Sequence, residues 1–239
     1  MLFLFAQLFL LFLPFQFAVP LGSEDIPLLR LVALGFIFLW GIKVLTERKC
    51  VFPPLFPLAL LLSWLFSLTF SLSLAEGISL GMRKLIFLWN LLPLTVVWSL
   101  FLDEQKKLTH LIRALIIGGA LSALVGISIF LAQFVVGVEK TFHLLTETAL
   151  PFFLGERLGN LVTLYPSLLV NIGGETWLRA TAFFPDPHVA SFFFGIIACL
   201  AWGLFLDTRD KFFLYSGSIL LLVDILTFSR GGYLGLLAA

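Results

Sequence analysis

Seven stretches of at least 18 residues carry charges only at or near their ends, and nothing else in the chain limits its fold so strongly. They cover residues 1–19, 28–45, 51–75, 85–102, 114–138, 187–206 and 212–229. A helix rising about 1.5 Å per residue needs about 20 residues to cross a hydrocarbon layer of about 30 Å. The runs lack the alternation of lipid-facing strands, and in hydrocarbon an isolated segment satisfies its backbone only as a helix. The expected fold is therefore an all-α polytopic membrane protein, residues 1–239 forming a single membrane domain. Pro14 and Pro93 are expected to kink or break their helices.

Composition agrees. Charged residues make up 12% of the chain and apolar ones 60%, with a net charge of +1. A soluble domain is about a quarter charged. Near-neutrality excludes the basic footprint of a nucleic-acid binder, and 28 Phe exclude a disordered chain. Two cysteines, Cys50 and Cys199, build no disulfide framework. The leader MLFLFAQLFLLFLPFQFAVPLG has no positive start and no small-x-small cleavage site, so it reads as a retained anchor, with a cleaved signal as the alternative.

Short loops set the orientation. With the N-terminus cytoplasmic, the inner loops hold Lys43, Arg48, Lys49, Lys106, Lys107, Arg113, Arg209 and Lys211, against Arg30, Arg83, Lys84 and Arg230 outside. That bias places the connection 138–186 on the outer face. Within it, residues 158–174 are uncharged but interrupted by Gly, Pro and Asn, which predicts an interfacial or re-entrant helix, with Tyr165 and Trp177 in the headgroup zone. Beyond Arg230 only nine apolar residues remain, about 14 Å of helix, the expected start of an eighth span cut short.

Most charges are topology determinants. Two outer segments stand apart: WLRATAFFPDPHVASFFFG, 177–195, and LTFSRGGYLGLL, 226–237. In the first, Asp186 and Pro187 fit the N-cap and first turn of the sixth span. Arg179 either contacts lipid phosphate or aims its planar fork at a bound phosphate beside that helix N-terminus, with His188 in the first turn. In the second, Arg230 either snorkels from a helix end or binds the same anion, next to a glycine pair that allows close approach. Asp224 lies inside the span, where an ionisable group marks a site by default and expects a partner from another helix, unless it is neutral. His110, His143 and His188 have no metal-site spacing, so no metal and no cofactor are expected.

RATAFFPDPHVAS, 179–191, resembles the Arg-x-x-Gly-x-Phe-x-x-Pro-Asn-x-x-Ala segment of the O-antigen ligase and O-antigen polymerase superfamily, and TFSRGG, 227–232, resembles its Thr-x-Ser-Arg-Gly-Ala segment one helix later. Ala182 stands where the family has Gly, and His188 where Asn is commoner. The resemblance implies a metal-independent glycosyltransferase of the bacterial cytoplasmic membrane, serving lipopolysaccharide or other envelope polysaccharide. A glycan would pass from an undecaprenyl-diphosphate-linked donor to a glycan, lipid A or protein acceptor. Arg179 and Arg230 would bind the diphosphate, with Asp186, His188, Ser229 and Asp224 in support. The family's large outer loop, which carries a catalytic histidine, has no counterpart here, so the chain reads as an incomplete and by itself inactive version. Two other classes remain open: a transporter or flippase of lipid-linked or anionic solutes, and a non-catalytic membrane scaffold.

Overall fold

The computed structural model describes residues 2–15, 17–21, 24–47, 55–72, 85, 95, 101, 104–156, 159, 162 and 166–238. Most of them are helical. The elements are α1 (Leu2–Phe12), β1 (Ala18–Leu21), β2 (Glu24–Pro27), α2 (Leu28–Glu47), α3 (Leu55–Leu72), α4 (Gln105–Val136) and α5 (Val138–His143), then a π-helical stretch over Leu144–Ala149 and α6 (Leu150–Leu154). A 3-10 turn at Pro166–Leu168 leads into β3 (Leu169–Ile172), β4 (Glu175–Leu178), α7 (Pro187–Thr208), α8 (Lys211–Leu226) and α9 (Arg230–Ala238).

Three helices among the described residues are long and apolar enough to cross a membrane: Leu28–Thr46, Gln105–Val136 and Pro187–Thr208. They match the second, fifth and sixth expected runs. The third run contains α3, of which only Leu58–Leu72 counts as an apolar helix. The fourth run, with Pro93, lies outside the described residues apart from isolated positions.

Three expectations are corrected. The first run is not one helix: α1 stops at Phe12, Leu13 and Pro14 form a turn, and the chain continues into an antiparallel hairpin pairing Val19 with Ile26. Proline cannot donate to the helix ladder and clashes with the turn before it, so the break expected at Pro14 is found and the run ends as a helix at Phe12. The seventh run ends at Leu226 rather than Ser229. Of 158–174, where a membrane-surface or re-entrant helix was expected, residues 166–174 instead enter a hairpin of β3 and β4 that pairs Asn171 with Thr176 around Gly173 and Gly174; the part before 166, with Tyr165, lies outside the described residues apart from positions 159 and 162. Both glycines have positive φ, 64° and 92°, which the turn requires and a helix forbids.

The chain divides into two compact units. One holds residues 1–3 and 33–110, with Phe36 and Leu65 fully buried and the Phe3 and Phe101 rings 5.8 Å apart. The other holds residues 4–32 and 111–239. Its core joins Ile116, Ala123 and Phe130 of α4 to Phe194 and Ile197 of α7 and Leu220 and Val223 of α8. Small residues on α4 permit that packing: a Cβ at Gly126 would stand 3.1 Å from Val223 and 3.3 Å from Ala182. Outward-facing Leu131, Val135, Ile196 and Leu206 are exposed, as lipid-facing side chains of spanning helices would be. At one end of this unit Arg113 reaches Asp210 at 3.7 Å and stacks over Phe212, 4.7 Å from its centroid. The opposite end carries the two segments singled out in the sequence.

Candidate functional site

The site is a helix interruption gripped from the side. Helix α8 ends with Thr227 as C-cap, Phe228 adopts φ 50°, and α9 starts at Arg230. The last carbonyls of a helix have no partner within it. Here Leu226 O accepts the backbone N–H of Ala180 at 3.0 Å, and Thr227 O accepts Arg179 Nε–H at 2.6 Å. Arg179 Nη2 donates to Phe228 O at 3.2 Å and Nη1 to Ser167 O at 3.0 Å. One arginine and its neighbour thus satisfy three successive carbonyls. A guanidinium suits the task because its donors diverge in a fixed plane and its charge meets the negative end of the α8 dipole. Arg179 is 6% exposed; burial lowers its pKa, while nearby Asp186 acts in the other direction.

Arg179 is itself held from both sides. Its backbone N–H donates to Leu168 O at 2.9 Å, extending the β3–β4 pairing. The preceding residue, Leu178, is clasped by the Gln133 amide of α4: Leu178 N–H donates to Oε1 at 2.8 Å and Nε2 donates to Leu178 O at 3.2 Å. Sequence reasoning missed Gln133, although a lone amide within an apolar run is the kind of signal that marks a site.

The N-terminus of α7 arrives at the same place. Asp186 is its N-cap, accepting His188 N–H at 2.6 Å and Val189 N–H at 3.3 Å, with Pro187 in the first turn. His188 Nδ1 lies 3.0 Å from Ser229 Oγ, and Ser229 Oγ accepts Gly232 N–H at 3.3 Å, capping α9. One turn deeper, Ser191 of α7 donates to Asp224 Oδ1 of α8, both side chains being fully buried. A Cβ at Gly232 would overlap Ser191 Oγ and stand 3.1 Å from Asp224 Oδ1. Glycine is therefore a requirement of the α7–α9 contact.

The two segments interlock residue by residue: Arg179 with Thr227 and Phe228, His188 with Ser229, and Ser191 with Asp224 and Gly232. The two arginines differ. Arg179 is buried with most of its donors on backbone carbonyls, whereas Arg230, at the start of α9, is exposed beside exposed Gly231. His188 is exposed as well. Asp224 meets its partner on another helix, as expected, but that partner is a serine hydroxyl and not a cation. Of the three histidines, only His188 takes part, and no metal-binding cluster occurs among the described residues.

No family model, no curated protein and no solved structure matches this chain. The structure supports a mostly helical protein with three helices, among the described residues, long and apolar enough to cross a membrane, and a polar junction where a broken helix meets a helix N-terminus.

Proposed function

We propose that this chain belongs to a polytopic glycan-transfer machine of the bacterial cytoplasmic membrane, with a cytoplasmic N-terminus, acting on its outer face. The donor is an undecaprenyl-diphosphate-linked glycan, and the acceptor is a glycan, lipid A or a protein. One observation carries this reading. The two segments that resemble the O-antigen ligase and polymerase pattern lie 36 residues apart in sequence, yet their characteristic residues bond to one another. A further detail agrees: Ala182, where the pattern has Gly, adopts φ 51° in the left-handed region that favours glycine.

In transfer, the bond between the sugar's anomeric carbon and the diphosphate oxygen breaks, and negative charge grows on the departing diphosphate. Arg230 is accessible to it, and the positive end of the α9 dipole lies alongside. A preorganised cation there stabilises the transition state more than the ground state. Arg179 is the positioning residue: by holding the α8 carbonyls it fixes the break from which Arg230 projects. His188 and Ser229 tie the α7 and α9 N-termini together around the same point. As the diphosphate leaves, the acceptor's nucleophilic atom forms the new bond to the anomeric carbon and its proton passes to solvent water.

The test is transfer by the full-length protein in inner-membrane vesicles supplied with lipid-linked glycan. Arg230→Ala should lower the rate about 100-fold, the order found for removing one donor to a developing anion, while the helical signal is kept. An unchanged rate in a folded Arg230→Ala protein overturns the assignment. The interruption of a helix at 227–229 also favours a second reading, a transporter of lipid-linked or anionic solutes, because broken helices commonly line such sites. In that case the donor crosses the bilayer with its glycan still attached.

A further inference from the structure

Among the described residues, the Ser229 hydroxyl has His188 Nδ1 at 3.0 Å and Gly232 N at 3.3 Å within hydrogen-bonding reach. Gly232 N–H can only donate, and Ser229 is fully buried, away from water. A buried O–H without an acceptor is costly, so the hydroxyl proton goes to the lone pair of Nδ1. The hydrogen-bond network thereby assigns the tautomer: in the neutral ring of His188 the proton sits on Nε2. Protonating the ring adds a proton at Nδ1, so Nε2 carries an N–H in both states and offers no lone pair. Asp186 steadies the backbone beneath, accepting the N–H groups of His188 and Val189. With Nδ1 turned to a buried serine and His188 itself exposed, Nε2–H lies on the open side. Arg230, next to Ser229 in sequence, is exposed at the start of α9.

A diphosphate presents two phosphoryl groups, and one guanidinium fork meets one of them. Arg179 is not free to take the other, because its donors are spent on the carbonyls of Thr227, Phe228 and Ser167. We propose, resting on the glycan-transfer reading of Arg230, that His188 is the second ligand of the leaving diphosphate, its Nε2–H donating to one phosphoryl group while Arg230 holds the other. Ser229 is the positioning residue, keeping the imidazole in the tautomer and rotation that point an N–H outward. The site then combines one cation with one donor that needs no charge. The imidazole stabilises the negative charge growing on the diphosphate and takes no proton from the acceptor.

Two measurements test this. With His110→Gln and His143→Gln in place, His188 is the sole histidine, and its ring nitrogen-15 resonances are read in phosphatidylcholine nanodiscs. The protonated nitrogen of the neutral ring should be Nε2, and its resonance should move when geranyl diphosphate is added. A neutral ring protonated at Nδ1, or an Nε2 resonance that ignores bound geranyl diphosphate, overturns the proposal and leaves the assignment of Arg230 standing. Binding of geranyl diphosphate is then titrated by calorimetry. His188→Phe keeps the bulk of the ring without a donor and should weaken binding about tenfold, the order expected for one hydrogen bond to a charged group. His188→Gln puts an amide N–H near the place of Nε2 and should bring affinity back to within about threefold of the wild type, which neither a loss of packing nor a need for a second cation would allow. Wild-type affinity in His188→Phe, or as large a loss in His188→Gln as in His188→Phe, overturns the proposal. Arg230→Ala separates the two assignments. Wild-type affinity there strikes the glycan-transfer reading of Arg230 and this proposal with it, whereas weakened binding in Arg230→Ala beside wild-type binding in His188→Phe strikes His188 alone. Should His188→Phe fail to fold, the tautomer and the movement of Nε2 still decide it.

Discussion

Arg179 and Arg230 look equivalent as letters, each in a polar segment beside an apolar run, and the structure gives them different work. Arg179 spends its fork on Thr227, Phe228 and Ser167 carbonyls, so its loss leaves buried acceptors unpaired. Hydrogen bonds to charged groups are worth about 1.5–3 kcal/mol each, and a lysine cannot reproduce the planar fork. Arg179→Lys should therefore destabilise the protein by about 3 kcal/mol in thermal unfolding in detergent, whereas exposed Arg230→Lys should leave the melting temperature nearly unchanged. Equal melting temperatures for the two variants would show that the carbonyl contacts matter little. Ala182 presents the opposite case. Left-handed backbone costs a residue with a Cβ about 1–2 kcal/mol, so Ala182→Gly should raise stability by about 0.5–1 kcal/mol after the greater chain entropy of glycine is deducted. A fall in melting temperature would mean that the buried methyl contributes more than the strain removes.

Among the elements, the α8–α9 interruption and the α7–α9 contact make the site. The Thr227-x-Ser229-Arg230 order contains a C-cap and an N-cap two residues apart, so a helix stop and a helix start were both present in the sequence, disguised by the apolar residues around them. Length alone carried the expected span through to Ser229, because hydropathy reads composition and not hydrogen-bond termination. The close approach of α9 to α7 depends on Gly232. Gly232→Ala should lower stability by about 2–3 kcal/mol, as overpacking does, and Ser191→Gly in the same chain should recover part of that loss by removing the hydroxyl in the way. A strictly additive double variant would show that the two positions do not share space. The Asp186 cap of α7, by contrast, was legible from Asp-Pro at the edge of an apolar run.

For the whole molecule, the charges of the second unit separate to opposite ends of its helices, Arg113 and Asp210 at one and Arg179, His188 and Arg230 at the other. On the proposed orientation, single cysteines introduced at Asn171 in the β3–β4 hairpin should react with a membrane-impermeant maleimide added to intact spheroplasts. Cysteines at Lys107 should react only after permeabilisation. The reverse pattern would invert the orientation and remove the donor site from the outer face.

The sequence by itself determined what depends on composition along one segment: which stretches are apolar enough to be helices in lipid, where prolines stop them, and which two polar segments interrupt the pattern. It did not determine which residues meet. That Gln133 would clasp Leu178, that Arg179 would be consumed by the carbonyls before Arg230, and that Ser191 would pair with Asp224 were decided only by tertiary packing. Hydrophobic burial is non-directional and can be read locally, whereas each of these hydrogen bonds needs two groups brought together by the folding of the chain between them.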